Sequence, residues 1–268
     1  MSKVVLITGA SSGIGKSIGL FLKEKGFIIY GTSRNPDKVT DSGGLKLLTL
    51  DVTNEDSIVK VVATVITEQG KLDVLVNNAG VGITGPIEET PTEEMQNAFN
   101  TNFYGPINVM KAVLPQMRKQ GSGLIINITS IAGYMGLPFR GVYSATKGAL
   151  ELVTEAMRME TKAFGIQITN LAPGDFATNI ASGRYHTPVY DDSPYKETYG
   201  MSLKEMDAHV DEGGDPDEVA KQIFKIINTK KPKIHYKVGA FMQKFSIVLK
   251  RVLPDKMYEK LLVNHYKL

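Results

Sequence analysis

Ser130, Tyr143 and Lys147 are the residues of this chain whose types and spacing best suit proton chemistry, and all three lie in IINITSIAGYMGLPFRGVYSATK, residues 125–147. Tyr143 and Lys147 stand four apart, so on a helix they project from one face and a phenol shares a site with an ammonium. A cation there favours phenolate and draws the hydroxyl down from its ordinary pKa of about 10. Tyr143 is therefore a candidate general acid/base. A packed Tyr beside a solvated Lys is the competing reading, since surface pairs of this kind are common. Of the eleven Tyr in the chain, only Tyr143 has Lys at the fourth position after it, and an apolar run ending in Ser130 precedes it.

Strand and helix patterns upstream build a place for a second reactant. KVVLIT, residues 3–8, is a short apolar run of the buried parallel-strand type. TGASSGIG follows with Gly9, Gly13 and Gly15, then a helical pattern that Gly26 stops. Strand, glycine turn and helix N-terminus together make a phosphate cradle, because close-packed N–H groups and the helix dipole both favour an anion. The alternative is a tight turn that needs glycine only for its backbone angles. FIIYGTSR, residues 27–34, closes a βαβ unit whose end should lie at a dinucleotide's adenosine ribose. It carries Ser33 and Arg34 rather than a carboxylate, which suits the 2′-phosphate of NADP over the 2′-hydroxyl of NAD.

A third strand reaches Asp51, which either accepts from an adenine amino group or serves as a turn residue. A helix over about Asn54–Gln69 is expected next, opened by Thr53 and Asp56 in capping-box spacing. LDVLVNNAG brings a fourth strand to Asn77, Asn78, Ala79 and Gly80, where the glycine leaves room for a ligand. Thr90, Pro91 and Glu93 read as cap, first-turn proline and capping-box partner of a long helix that contains Asn100 and Asn102. Asn is a weak helix former, so one of the two is expected to have another task.

The chain has 268 residues, 42% of them hydrophobic and 22% charged, with no Cys, which suits one soluble α/β domain without disulfides or zinc-thiolate chemistry. The opening apolar run is too short for a signal peptide and no run could span a bilayer, so a cytoplasmic location is the expectation. Net charge is +3, yet residues 230–268 hold ten Lys and Arg against two acids, +8, which leaves −5 for the rest.

Together, TGASSGIG at 8–15, DV at 51–52, NNAG at 77–80, NFYG at 102–105, Ser130, YSATK at 143–147 and PG at 173–174 closely resemble the short-chain dehydrogenases/reductases across roughly residues 3–228. The resemblance implies a Rossmann-like doubly wound parallel sheet of order 3-2-1-4-5-6-7 with helices on both faces, and a nicotinamide cofactor. It implies a catalytic set of Asn102, Ser130, Tyr143 and Lys147, with Asn100 competing for the place of Asn102. The cofactor would lie along Gly9, Ser11, Ser12, Gly13, Ile14, Gly15, Ser33, Arg34, Asp51, Val52, Asn78, Ala79 and Gly80, with Tyr143 and Lys147. Pro173, Gly174 and Thr178 would hold its nicotinamide end. No metal is implied. Tyr143 would exchange the hydroxyl proton, Ser130 would donate to the carbonyl oxygen, Lys147 would hold ribose hydroxyls, and Asn102 would hold a relay water. The function that follows is hydride transfer between NADP(H) and a carbonyl or secondary alcohol. The alternative is a non-catalytic NADP(H)-binding sensor or scaffold.

After the sixth strand, residues from 175 to about 214 look irregular and rich in Tyr, as a substrate lid would be. That lid suggests an apolar, steroid-, retinoid- or lipid-like substrate. Apolar residues on the helices over 92–119 and 143–163 suggest a homodimer or homotetramer. No nucleic-acid-binding motif accompanies the basic tail. Over about 240–268 the tail reads as two amphipathic helices, the first with Phe241, Met242, Phe245, Val248, Leu249 and Val252 on its apolar stripe. That stripe either packs on the cleft or on a partner subunit, or makes a peripheral membrane contact.

Overall fold

Short β-branched and leucine runs build seven parallel strands. They are β1 (Val4–Ile7), β2 (Ile28–Ser33), β3 (Lys46–Thr49), β4 (Val74–Asn77), β5 (Gly123–Ile128), β6 (Ile166–Pro173) and β7 (His235–Val238). The structure is a computed structural model that describes residues 2–176, 183–208 and 213–268. Numbering only the strands of this sheet, their spatial order is 3-2-1-4-5-6-7, every neighbouring pair parallel. The expected doubly wound order is thus the one found. A separate ribbon pairs Ile83–Thr84 with Tyr185–His186.

The inner strands are largely apolar on both faces because helices cover both. Val4 and Leu6 face one core with the helices α2 (Glu55–Gln69), α4 (Gly105–Gln120) and α5 (Gly141–Glu160). Val5 and Ile7 face the other, with α1 (Gly13–Glu24) and α7 (Pro216–Ile227). Since all strands run the same way, every loop leaving a strand's carboxyl end lies along one edge of the sheet, where ligands of such folds bind.

Asp215 caps α7, its carboxylate accepting from Asp217 N at 3.0 Å. For α2 the cap is Asn54, accepting from Ser57 N at 2.9 Å, and Thr53 bonds Asp51 instead. Thr90 does not cap α3 (Thr92–Phe99), because its hydroxyl points back to Pro86 O at 2.7 Å. Between α3 and α4 the chain widens into a π-helical turn, Asn100–Tyr104, that holds both candidate asparagines. The stretch expected to be irregular contains a thirteen-residue helix, α6 (Lys196–Ala208). Its periodicity is weak, and it is anchored by buried Tyr199, whose hydroxyl donates to Thr187 O at 2.8 Å. The tail forms α8 (Phe241–Val252) and α9 (Asp255–Tyr266).

Helix α5 meets the sheet through polar groups. At one register across β4, β5 and β6 stand Asn77, Asn127 and Asn170, all buried. Asn77 Nδ2 donates to Asn127 Oδ1 at 2.9 Å, Asn127 Nδ2 to Thr154 Oγ1 at 2.8 Å, and Asn170 Nδ2 to Glu151 O at 3.3 Å. Glu151 is itself buried, one turn beyond Lys147. Its carboxylate accepts from Thr129 Oγ1 at 2.8 Å and lies 3.7 Å from His235 Nδ1, with Tyr134, Glu155 and Lys237 around it. Burial pushes the Glu151 carboxyl up to about 7, against the opposing pull of Thr129, Tyr134 and Lys237.

A carboxyl raised on folding contributes stability that is complete below its unfolded pKa and lost as pH rises through its folded one. We expect the wild type to lose about 2 kcal/mol relative to Glu151→Gln between pH 5.5 and pH 8.5. Denaturant melts of both proteins at the two pH values check this. A gap that stays constant with pH would refute it.

Candidate functional site

The glycine turn after β1 folds tightly on itself. Gly9 and Gly13 have φ of +68° and +52°, the left-handed region that side chains avoid. A Cβ on Gly15 would stand 2.2 Å from Gly9 O and 2.4 Å from Asn78 Nδ2. Asn78 clamps the turn from β4, its Nδ2 donating to Thr8 O at 3.0 Å and Gly9 O at 2.9 Å, while Thr8 Oγ1 accepts from the backbone N–H groups of Asn78 and Ala79. Ser12 is the N-cap of α1 but makes no capping bond with its side chain, and the first turn has no acidic residue. Ser11 and Ile14 flank it, partly buried. The turn is thus a glycine-floored cradle at an open helix N-terminus, which fits the pyrophosphate of a dinucleotide.

Beside it, β2 ends at Ser33, whose Oγ accepts from Asn35 N at 3.3 Å. Arg34 is exposed. Beyond β3, Asp51 Oδ1 accepts from Thr53 N at 2.9 Å and Thr53 Oγ1 at 2.7 Å, so this oxygen serves the turn. Val52 is buried where a Cβ on Gly105 would strike its side chain at 2.8 Å.

Farther along the edge, Ser130, Tyr143, Lys147 and Asn102 meet. Ser130 follows β5 and caps a 3₁₀ turn, its hydroxyl accepting from Ala132 N at 3.2 Å and lying beside the Tyr143 hydroxyl. Lys147 is buried, its Nζ donating to Ile128 O at 3.1 Å and standing 5.9 Å from the Tyr143 ring centre. Asn102 is fully buried. Its Oδ1 accepts from Val81 N at 2.8 Å, and its Nδ2 donates to Val81 O at 2.9 Å and Thr146 Oγ1 at 3.2 Å. Asn100 is exposed on the same π turn. A Cβ on Gly80 would come within 3.1 Å of Asn102 Oδ1 and 3.4 Å of Lys147 Nζ, so this glycine brings the β4 loop close to both.

The electrostatics reverse one expectation. Burial pushes the Tyr143 hydroxyl up, and the groups pulling it back are Arg140, the Ser130 hydroxyl and Arg184 rather than Lys147. The Lys147 ammonium is itself disfavoured by burial, which lowers its pKa to about 8. A helical spacing of four gives the shared face but not the depth at which the face is buried. Arg140, three residues before Tyr143 at the N-cap of α5, lies 5.5 Å from the tyrosine ring centre. Its place one turn upstream was the signal that could have drawn attention to it.

Pro173 is buried at the end of β6, and Gly174 N donates to Val238 O at 2.8 Å. Thr178 lies outside the described residues. Against Gly174 stands Gln243 of α8, whose Oε1 would be 2.0 Å from a Cβ there and whose Nε2 donates to Asp175 Oδ2 at 2.8 Å. Inward residues of the tail, Ile247 and Tyr258, pack on Ile131 and Met135 just after Ser130. At the end of α9, Tyr266 lies beside Arg140 and Asp175, and Lys267 pairs with Glu205 of α6 at 2.5 Å. The tail therefore helps wall the site, through residues that family motifs do not cover.

A sequence model of the family described as short chain dehydrogenase matches residues 3–188. A 3-ketodihydrosphingosine reductase of Bacteroides thetaiotaomicron is 42% identical over 258 residues, 96% of this chain and 95% of that protein. The crystal structure of a short-chain dehydrogenase from Streptomyces avermitilis superposes with a TM-score of 0.81 at 31% identity, over 100% of this chain and 96% of the other. A structure of ElxO with NADP bound gives a TM-score of 0.71 at 30% identity, over 89% of this chain and 97% of the other.

The contacts at Gly15 lead to a local test. Gly15→Ala should cost about 1–3 kcal/mol, because backbone rather than a flexible side chain occupies the Cβ position. Gly136→Ala, where nothing lies within 4 Å, should leave stability nearly unchanged. Thermal melts of the two variants check the contrast, and equal melting temperatures would contradict it.

Proposed function

The chain belongs to the short-chain dehydrogenase family, oxidoreductases of CH–OH and C=O groups that use a nicotinamide cofactor, and on that premise we propose that it is an NADPH-dependent reductase of a lipid-like ketone. The observation that carries this reading is the meeting of Ser130, Tyr143 and Lys147 beside Gly80 at the sheet's carboxyl edge. The nicotinamide supplies the hydride. Tyr143 gives its phenolic proton to the carbonyl oxygen as the carbon is reduced, and Ser130 donates a hydrogen bond to the same oxygen. One such donor is worth about 3–4 kcal/mol at the transition state. Because burial raises the Tyr143 pKa, the residue is protonated at neutral pH, which is the form a reduction requires. Lys147 sits beneath the ring to hold ribose hydroxyls. Asn102 acts as a positioning residue: Val81 and Thr146 engage its amide, so a relay water here would be held by the main chain of the π turn.

The cofactor would run from the glycine cradle of Gly9, Ser11, Ser12, Gly13, Ile14 and Gly15, past Asp51, Val52, Asn78 and Ala79, to Pro173 and Gly174. Ser33 and exposed Arg34 would take the 2′-phosphate, a reading supported by the NADP bound to ElxO. The name of the Bacteroides relative supports a long-chain amino ketone as the substrate class. Leu152 and Met159 of α5 and Tyr104 are exposed, and we assign this face to a homo-oligomeric contact. Among the described residues no helix is long and apolar enough to cross a membrane.

NADPH should bind at least about tenfold more tightly than NADH, and Arg34→Asp should invert that order by charge repulsion. Calorimetric titration of both cofactors tests it, and equal affinities in the wild type would defeat the NADP assignment. Tyr143→Phe should lower turnover of an apolar ketone by about a hundredfold or more while cofactor affinity is nearly kept. Nicotinamide absorbance across a carbonyl panel gives the rates. Substantial turnover by this variant would remove Tyr143 from the mechanism.

A further inference from the structure

Helix α8 turns most of its expected apolar stripe outward, while Leu249 of that stripe packs on the buried cluster of Ile131 and Met135. Phe241, Phe245, Val248 and Val252, at offsets 0, 4, 7 and 11, are all exposed, Phe241 to 72% and Val252 to 74%, and the rings of Phe241 and Phe245 stack on the surface at 5.7 Å. The face that packs on the enzyme is the opposite one, with Gln243, Ser246 and Ile247. The helix is therefore held in place by one side while a second, larger apolar side meets solvent. Lys244 and Arg251, seven apart, border that outer stripe along one flank, and neither has an ion-pair partner among the described residues. The tail of residues 230–268 carries +8 and the remainder of the chain −5, so an anionic plane draws this end of the molecule and repels the rest.

We propose that the outer face of α8 docks on an anionic lipid surface, Lys244 and Arg251 meeting headgroups while Phe241, Phe245, Val248 and Val252 enter the interface. Burying bulky apolar side chains shallowly, with cations at their margin, is the physics of interfacial helices. A second copy of the chain suits this face less well than an anionic plane, because it brings the same basic tail to the contact. The inward edge of the same helix bonds Asp175 beside Gly174, so docking sets the rim of the site at the lipid boundary. The docking itself depends on no assignment of reacting residues.

The test uses the full chain with vesicles of phosphatidylcholine alone or mixed with phosphatidylglycerol, at low and high salt, and needs neither cofactor nor turnover. The chain has no Trp, so Phe241→Trp supplies a single reporter. Its emission should shift to the blue on mixed vesicles only. Co-sedimentation with mixed vesicles at low salt should exceed that with neutral vesicles, or at high salt, by about tenfold. Phe241→Ser/Val252→Ser and Lys244→Glu/Arg251→Glu should each reduce it by about tenfold with melting temperatures nearly unchanged, because Phe241, Val252 and Arg251 are exposed and Lys244 is only partly buried. Failure to bind mixed vesicles, or binding that survives both pairs of substitutions, would overturn the proposal. So would a fall in solution mass by light scattering for Phe241→Ser/Val252→Ser, which would give the face to a second copy.

Discussion

Helix α5 is seated on the sheet by hydrogen bonds as much as by apolar contact, and the geometry of the site follows from that seating. Asn127 reaches up to Thr154, Asn170 to the Glu151 carbonyl, and Lys147 reaches down to Ile128 O. Each of these groups is buried, so losing a partner costs about 1–3 kcal/mol, whereas an apolar interface could slide at far less cost. The row therefore fixes the register of α5 against β5 and β6. Lys147 and Tyr143, one and two turns before Glu151, inherit their positions from it. Ser130 is held from the other side by its turn at the end of β5.

The same edge brings distant backbone segments into contact where only hydrogen atoms fit. Gly15 abuts Gly9 and Asn78, and Gly80 approaches Asn102 and Lys147. Asn102 binds Val81 through both its amide atoms, as a neighbouring strand would, from a π-helical turn that widens the helix enough to admit it. These contacts tie the glycine turn, Asn102 and Lys147 to one edge of the sheet.

Helices α8 and α9 are two-sided. Their inward residues close a small apolar cluster with Ile131 and Met135 and tie down Asp175, while Tyr266 and Lys267 reach Arg140 and Glu205. Their outward residues are apolar and basic, and among the described residues Lys244 and Arg251 form no ion pair. An ordinary amphipathic helix turns its wider apolar stripe to the core. Here Gln243, Ser246 and Ile247 do that work, because the surface they meet includes the polar backbone around Gly174 and Asp175 as well as hydrophobic side chains.

Apolar runs and glycine positions are local signals, so the strands and the glycine turn were legible in them, whereas the strand order and the grouping of Asn102, Ser130, Tyr143 and Lys147 came through the family resemblance. The i,i+4 spacing put Tyr143 and Lys147 on one face, and NFYG singled out Asn102 over Asn100. Only the tertiary structure decided how deeply those side chains are buried, and burial is what raises the Tyr143 hydroxyl and lowers the Lys147 ammonium against the direction expected from the pair alone. It also decided that Arg140 is the main cation at the tyrosine, that Asn54 rather than Thr53 caps α2, and that the irregular-looking stretch contains α6. Periodicity in the tail gave the helix but not its orientation. A stripe shows that one side of a helix differs from the other, and only the surface it rests on decides which side is inside.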